Sequence, residues 1–210
     1  MPTTFTHTLI YELVTLFVIL DPVSTIPIFL AATVGLARKD LFKVAAYAVS
    51  IAFGVLLFFI VGGQFLLEAL HIPMPSFQFA GSIVLLLFGL KLVLGTVTEE
   101  AAAIPEGTSL FDRAVYPLAI PGIAGPGSML TVVLLTDNNT RSVAEQAITT
   151  GELVICLAVL LGVYWMATFL YRMLGRGGIE IVSRVFGLII ASIAVHNLII
   201  AIKLSFNLAP

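Results

Sequence analysis

Cysteine is nearly absent from this 210-residue chain. The one present, Cys156, lies in an apolar run, which excludes a disulfide framework and a cysteine-based metal site. Charge is sparse too: Asp, Glu, Lys and Arg make up 10% of the residues, net charge is −2, and no basic cluster suggests nucleic acid as a partner. No Lys or Arg precedes Arg38, and Asp21 interrupts the first apolar run, so the N-terminus does not read as a signal peptide. Segments of about ten residues with alternating hydrophobicity are missing, which argues against a membrane β-barrel. No Ser-His-Asp set, Walker loop or metal-ligand cluster is present, so neither an enzyme nor a resident metal or cofactor is expected.

Hydrophobic residues are what the chain has in excess, at 60%, with a mean hydropathy of +1.12. Apolar runs of about 20 residues have the length of a membrane-crossing helix. The expected class is an all-α polytopic membrane protein forming one domain in the lipid bilayer. Six spans are predicted, at about 7–34, 45–67, 75–96, 114–136, 147–170 and 181–204. The polar residues Arg38, Lys39, Asp40 and Lys43 read as a short loop, 68–74 as a tight turn, and the glycine-bearing stretch 172–180 as another loop. The longest polar segment, 97–113, divides the chain at its midpoint.

Lys and Arg set the orientation. Arg38, Lys39, Lys43, Lys91, Arg113, Arg172, Arg176 and Arg184 fall on one side, and only Arg141 and Lys203 on the other. The first side is expected to be cytoplasmic, with both termini outside.

Two stretches break the apolar pattern in the same way. Asp21-Pro22-Val23-Ser24-Thr25-Ile26-Pro27 and Pro121-Gly122-Ile123-Ala124-Gly125-Pro126-Gly127 each carry two prolines five residues apart, and the pairs are offset by 99 residues. Proline removes a backbone donor and clashes with the preceding turn, so each stretch should unwind its helix. Spans 3 and 6 also correspond weakly, Phe79-Ala80-Gly81 with Val185-Phe186-Gly187. Three spans per repeat is an odd number, so the halves 1–96 and 114–210 would enter the membrane from opposite sides as inverted repeats. Broken helices at matching positions of such halves point to a transport site near the midplane, although two simple kinks would leave the same trace.

An unwound segment frees backbone N–H groups at the start of the next half-helix, which suit an anion, and carbonyls at the end of the preceding one, which suit a cation. Gly125, Gly127 and Ser128 would leave such N–H groups accessible, and Ser24 and Thr25 would add hydroxyls. A zwitterion matches both ends. Asp21 could hold an ammonium, bind Na⁺ or titrate as a proton-coupling site, or it could cap a half-helix starting at Pro22. The candidate site is therefore Asp21, Ser24, Thr25, Pro27, Pro121, Gly122, Gly125, Pro126, Gly127 and Ser128. His196 and Asn197, within span 6, are weaker members. Glu12 and Glu152 read as residues near the outer interface. Lys91 reads as snorkelling, Gln64 and Gln78 as bonding across helices, and Gly187 with Ala191 as a small-residue packing pair.

The two proline motifs are preceded by Tyr116-Pro117-Leu118-Ala119-Ile120 in the second case and followed by Ile28-Phe29 in the first. Together with Gly177-Gly178-Ile179-Glu180 leading to Ser183-Arg184 and Gly187, they make the whole chain resemble the MarC family of bacterial inner-membrane proteins. That resemblance implies six spans in an inverted three-plus-three arrangement and residence in the bacterial or archaeal cytoplasmic membrane. Its transporter branch implies small neutral amino acids such as glycine and alanine as substrates, with cation coupling. The expected function is an ion-gradient-coupled carrier of a small polar solute, with H⁺ or Na⁺ as the coupling ion; a homo-oligomer is compatible with this. The competing expectations are a non-transporting membrane protein with a stress or scaffold role, and an exporter of hydrophobic compounds.

Overall fold

The structure is a computed structural model. It describes the chain except for Met1, Ser24, residues 96–103, Glu106, Asn139, Thr140 and residues 207–210, and except for the side chains of residues 2–8, Pro27, Tyr171, Leu174, Arg176 and Ile179. Among the described residues every regular element is helical. In chain order these are α1 (Pro2–Leu20), α2 (Thr25–Ala32), α3 (Arg38–Ala69), α4 (Met74–Leu94), α5 (Leu110–Ile123), α6 (Pro126–Leu135), α7 (Val143–Leu170) and α8 (Glu180–Ser205).

Four of these, α3, α4, α7 and α8, are long and apolar enough to cross a membrane, and α5 with α6 makes a fifth when counted as one span bent by 54°. The apolar part of the first helix, Leu9–Leu20, is shorter. Phe58, Val61, Phe65, Leu87 and Leu188 point outward, more than half exposed, as a helix bathed in acyl chains requires.

Inside the bundle, small residues let backbones approach. Ala45, Ala48, Ala52 and Leu56 form a fully buried stripe along α3 at helical spacing. A Cβ on Gly89 of α4 would sit 2.8 Å from the Ala191 nitrogen and 2.9 Å from the Gly187 oxygen of α8. A Cβ on Gly187 would in turn meet the Gly89 oxygen at 2.8 Å. The pair read from sequence as a packing motif is therefore the α4–α8 contact. Leu85 and Leu92 of α4 pack with Ile190 and Ala194 of α8 and with Ile19 of α1.

Helix boundaries depart from the sequence expectation in three places. Arg38, Lys39 and Asp40 are the first turn of α3 rather than a loop, because the chain turns earlier, at Gly35 (φ 80°). Residues 172–180 stay helical apart from Gly175, where one positive φ of 67° turns α7 into α8. The 68–74 turn falls where expected, with His71 at φ 55°. Of the 97–113 loop, residues 97–103 and 106 lie outside the described residues, and the third departure is that Leu110–Arg113 are already the first turn of α5.

Candidate functional site

Both proline motifs interrupt the helices. In the first, α1 ends as the Asp21 N–H donates to the Phe17 carbonyl at 3.1 Å, and the chain turns through Asp21 at φ 44°. An L-residue in this left-handed region loses about 1–2 kcal/mol, and Asp is among the few that tolerate it. The helix resumes at Thr25, whose N–H reaches the Asp21 carbonyl at 3.3 Å and whose hydroxyl donates to the Pro22 carbonyl at 3.0 Å. Asp21 thus terminates α1, which corrects the expectation that it caps a half-helix beginning at Pro22. Asp21 is 2% exposed and Thr25 3%. Ser24 lies outside the described residues, and Pro27 is placed within α2.

Tyr164 of α7 closes over this break. Its ring stacks on Phe29 of α2, centroids 4.4 Å apart and nearly parallel. Its buried hydroxyl lies near Thr25 and within electrostatic reach of Asp21. The Thr25 hydroxyl donates to Pro22, and the Tyr164 oxygen has no partner in hydrogen-bond geometry among the described residues. Tyr164 also lines a half-open groove of about 450 Å³, walled by Leu36, Arg38, Leu41, Thr168 and Arg172 and by the exposed rings of Phe42, Trp165 and Phe169. That volume is in the range of small-molecule sites. Sequence reasoning missed Tyr164; an aromatic hydroxyl inside an apolar run was the only signal.

The second break is built differently. From Ala114 to Ile123 the backbone runs in wide π-type turns, with extended φ/ψ at Tyr116 and Ile120 and cis peptide bonds before Pro117 and Pro121. It kinks at Ala124 and Gly125 before α6 starts at Pro126. Here the glycines are filled in. A Cβ on Gly122 would meet the Pro117 oxygen at 2.8 Å, one on Gly125 the Pro121 oxygen at 2.5 Å, and one on Gly127 would collide with the Leu85 side chain of α4. Ser128, 5% exposed, donates its hydroxyl to the Ile123 carbonyl at 2.7 Å. In this conformation Gly125, Gly127 and Ser128 are buried, the glycines admit neighbouring atoms, and Leu85 lies against Gly127. Pro121 and Pro126 are exposed on the outer surface. His196 is also exposed, on the outer face of α8, and Asn197 beside it is half-buried, so neither is joined to the Asp21 group.

The breaks are tied to each other through Arg113. This nearly buried guanidinium, at the start of α5, donates to the Ala32 carbonyl at the end of α2 at 2.7 Å and to the Thr108 carbonyl at 3.2 Å. A cation on the last carbonyl of a helix also complements its dipole.

At the opposite end of the bundle a polar network closes the gaps between helices. Gln64 of α3 donates to Asp137 at 2.9 Å and accepts from the Asn138 N–H at 2.6 Å, as a cross-helix role for Gln64 requires. Glu12 of α1 is 2% exposed; it accepts from Arg141 and, at 2.7 Å, from Thr149 of α7. Glu12 and the 8%-exposed Glu152 are both buried at this end of the bundle. Arg141 is 129 residues from Glu12 in the chain, so no local pattern could have signalled the pairing.

The model of the MarC family integral membrane proteins matches residues 6–206. The chain belongs to the MarC family. A UPF0056 membrane protein of Aquifex aeolicus is 32% identical over 198 residues, covering 90% of this chain and 89% of the relative. One of Archaeoglobus fulgidus is 30% identical, covering 87% and 86%. The UPF0056 inner membrane protein YhgN of Escherichia coli K12 is 27% identical, covering 91% and 94%. No solved structure matches the chain. As a MarC protein it is an integral membrane protein, and these names specify no substrate or mechanism.

Proposed function

We propose that this MarC protein is a secondary carrier of small polar solutes, with neutral amino acids as the favoured class, driven by an ion gradient. The observation that carries the reading is the first break. A buried carboxylate, Asp21, is held in a strained turn beside Thr25 and Tyr164, and Tyr164 is also part of the wall of a 450 Å³ groove. Acids inside a membrane bundle are costly and mark ion or substrate paths.

In this reading the chain crosses the cytoplasmic membrane six times as two inverted three-helix repeats, α1–α4 and α5–α8, with the breaks in the first span of each. The α4–α8 contact through Gly89 and Gly187 supports that pairing, since it joins the last helix of each half. The Lys and Arg bias puts the groove on the cytoplasmic side and both termini outside. Arg38 and Arg172 would attract an anionic group to the mouth of this space, and Asp21, deeper at the break and outside its lining, would suit an ammonium or a coupling cation. On this reading the Gln64, Glu12 and Arg141 contacts would hold the other end closed, in a conformer open toward the inside. Rocking of one half against the other would exchange the two.

A second reading has an observation in its favour. The second break is packed by Leu85, which suits a non-transporting scaffold protein whose kinks serve packing alone. Uptake by vesicles reconstituted with the purified protein separates them. Labelled glycine, alanine and serine are offered with and without imposed H⁺ and Na⁺ gradients. A carrier accumulates at least one in a gradient-dependent way; folded protein that moves none, under any gradient, overturns the proposal.

A further inference from the structure

In the closed end of the bundle two carboxylates compete for one guanidinium. Glu12 uses Oε1 for Arg141 and Oε2 for the Thr149 hydroxyl. Glu152 stands three residues beyond Thr149, on the same face of α7. It is 8% exposed, within electrostatic reach of Glu12 and Arg141, and its Oε2 is buried with no hydrogen-bond donor among the described residues. The groups facing it are Glu12 from α1, Arg141 from the turn before α7, and Cys156 one turn further along α7 itself. The guanidinium bonds Glu12, and Glu152, though within its reach, has no ion-pair contact with it among the described residues. A buried carboxylate in that position is stable only when neutralised or paired.

We infer that Glu152, together with Glu12 and Thr149, forms a binding site for a small monovalent cation, a proton or Na⁺. This site is separate from Asp21 and lies on the other side of the bundle. Its role as a coupling site rests on the carrier reading. With the cation bound, Arg141 stays on Glu12 and the α1–α7 contact holds. When the cation leaves, Glu152 becomes a rival acceptor for Arg141, and the Glu12–Arg141 clasp loosens. Occupancy of the site would thus bias the closed end toward staying closed.

The test reads cation binding by the purified full-length protein in detergent, without transport. Thermal melting is compared in NaCl and in choline chloride at equal ionic strength, and infrared spectra at neutral pH are searched for the carbonyl stretch of a protonated carboxyl. Na⁺ occupancy gives a melting temperature raised by NaCl over choline chloride; proton occupancy gives the carbonyl band. Whichever signal the wild type shows should be lost in E152Q. It should also be lost in E12Q, because a single remaining acid then pairs with Arg141 and needs no added cation. Absence of both signals in the wild type overturns the site, as does a signal that survives in either variant. E12Q carries the test alone should E152Q not fold. A protein that binds the cation yet transports nothing defeats the carrier reading only, and one that transports without binding it here defeats this site only.

Discussion

The two breaks share their punctuation, two prolines five residues apart within an apolar run, and differ in what fills them. The first keeps a buried acid and two hydroxyls, those of Thr25 and Tyr164, around a turn that only Asp21's left-handed φ makes possible. The second, on its longer run of π-type turns, holds glycines against carbonyl oxygens and against Leu85. Interrupted backbone in lipid needs partners for its polar groups. One break meets that need with chemistry that a solute or ion could share, the other with close packing. Proline spacing alone therefore marks where a membrane helix opens, and the side chains around it decide whether the opening is a site or a joint.

The sharpest way to break this contrast is at Gly127. Gly127→Val drives a branched side chain into Leu85, and overfilling of this kind costs about 1–3 kcal/mol. A melt in detergent should show a loss of that size, and Leu85→Ala in the same chain should recover part of it, the coupling expected of residues in contact. Next comes Arg113→Met, which removes the bond from the second region to the Ala32 carbonyl at the end of the first. A hydrogen bond from a charged group is worth about 1.5–3 kcal/mol, so a melt lowered by roughly that amount is expected; an unchanged melt would mean that the breaks are not tied together there. A smaller effect separates two variants of Asp21. Asn tolerates the left-handed turn and Ala does not, so Asp21→Ala should be less stable than Asp21→Asn by about 1 kcal/mol. Equal stabilities would remove backbone strain from the description of the first break. The smallest effect belongs to His196, which faces outward on α8. His196→Gln should leave both the melt and the pH profile of transport unchanged, and a shifted profile would bring this residue back into the site.

Much of the bundle was legible because apolar length and proline position are local properties. The breaks, the 68–74 turn and the Gly187–Ala191 packing face all follow from residues a few positions apart. What sequence could not show depends on neighbours far along the chain. Asp21 reads as a helix cap by its place before Pro22, yet the helix resumes only at Thr25. Gly127 reads as exposed backbone, and only the approach of Leu85 from another helix shows that its open side is covered. Glu12 and Glu152 read as interfacial by depth along their helices, and only residues far along the chain from Glu12, Arg141 and Thr149, show what Glu12 binds there. Tyr164 looked like one more apolar-span aromatic until its ring was found on Phe29 and its hydroxyl beside Thr25.

The most direct test of the first break as a transport site is gradient-driven uptake by vesicles carrying wild-type protein or Asp21→Asn, matched for amount and melting temperature. Asn keeps the turn and removes the charge, so the wild type should accumulate labelled alanine or glycine while the variant falls to the level of empty vesicles. Accumulation by Asp21→Asn equal to wild type would contradict the role of Asp21 as the charged centre of the site.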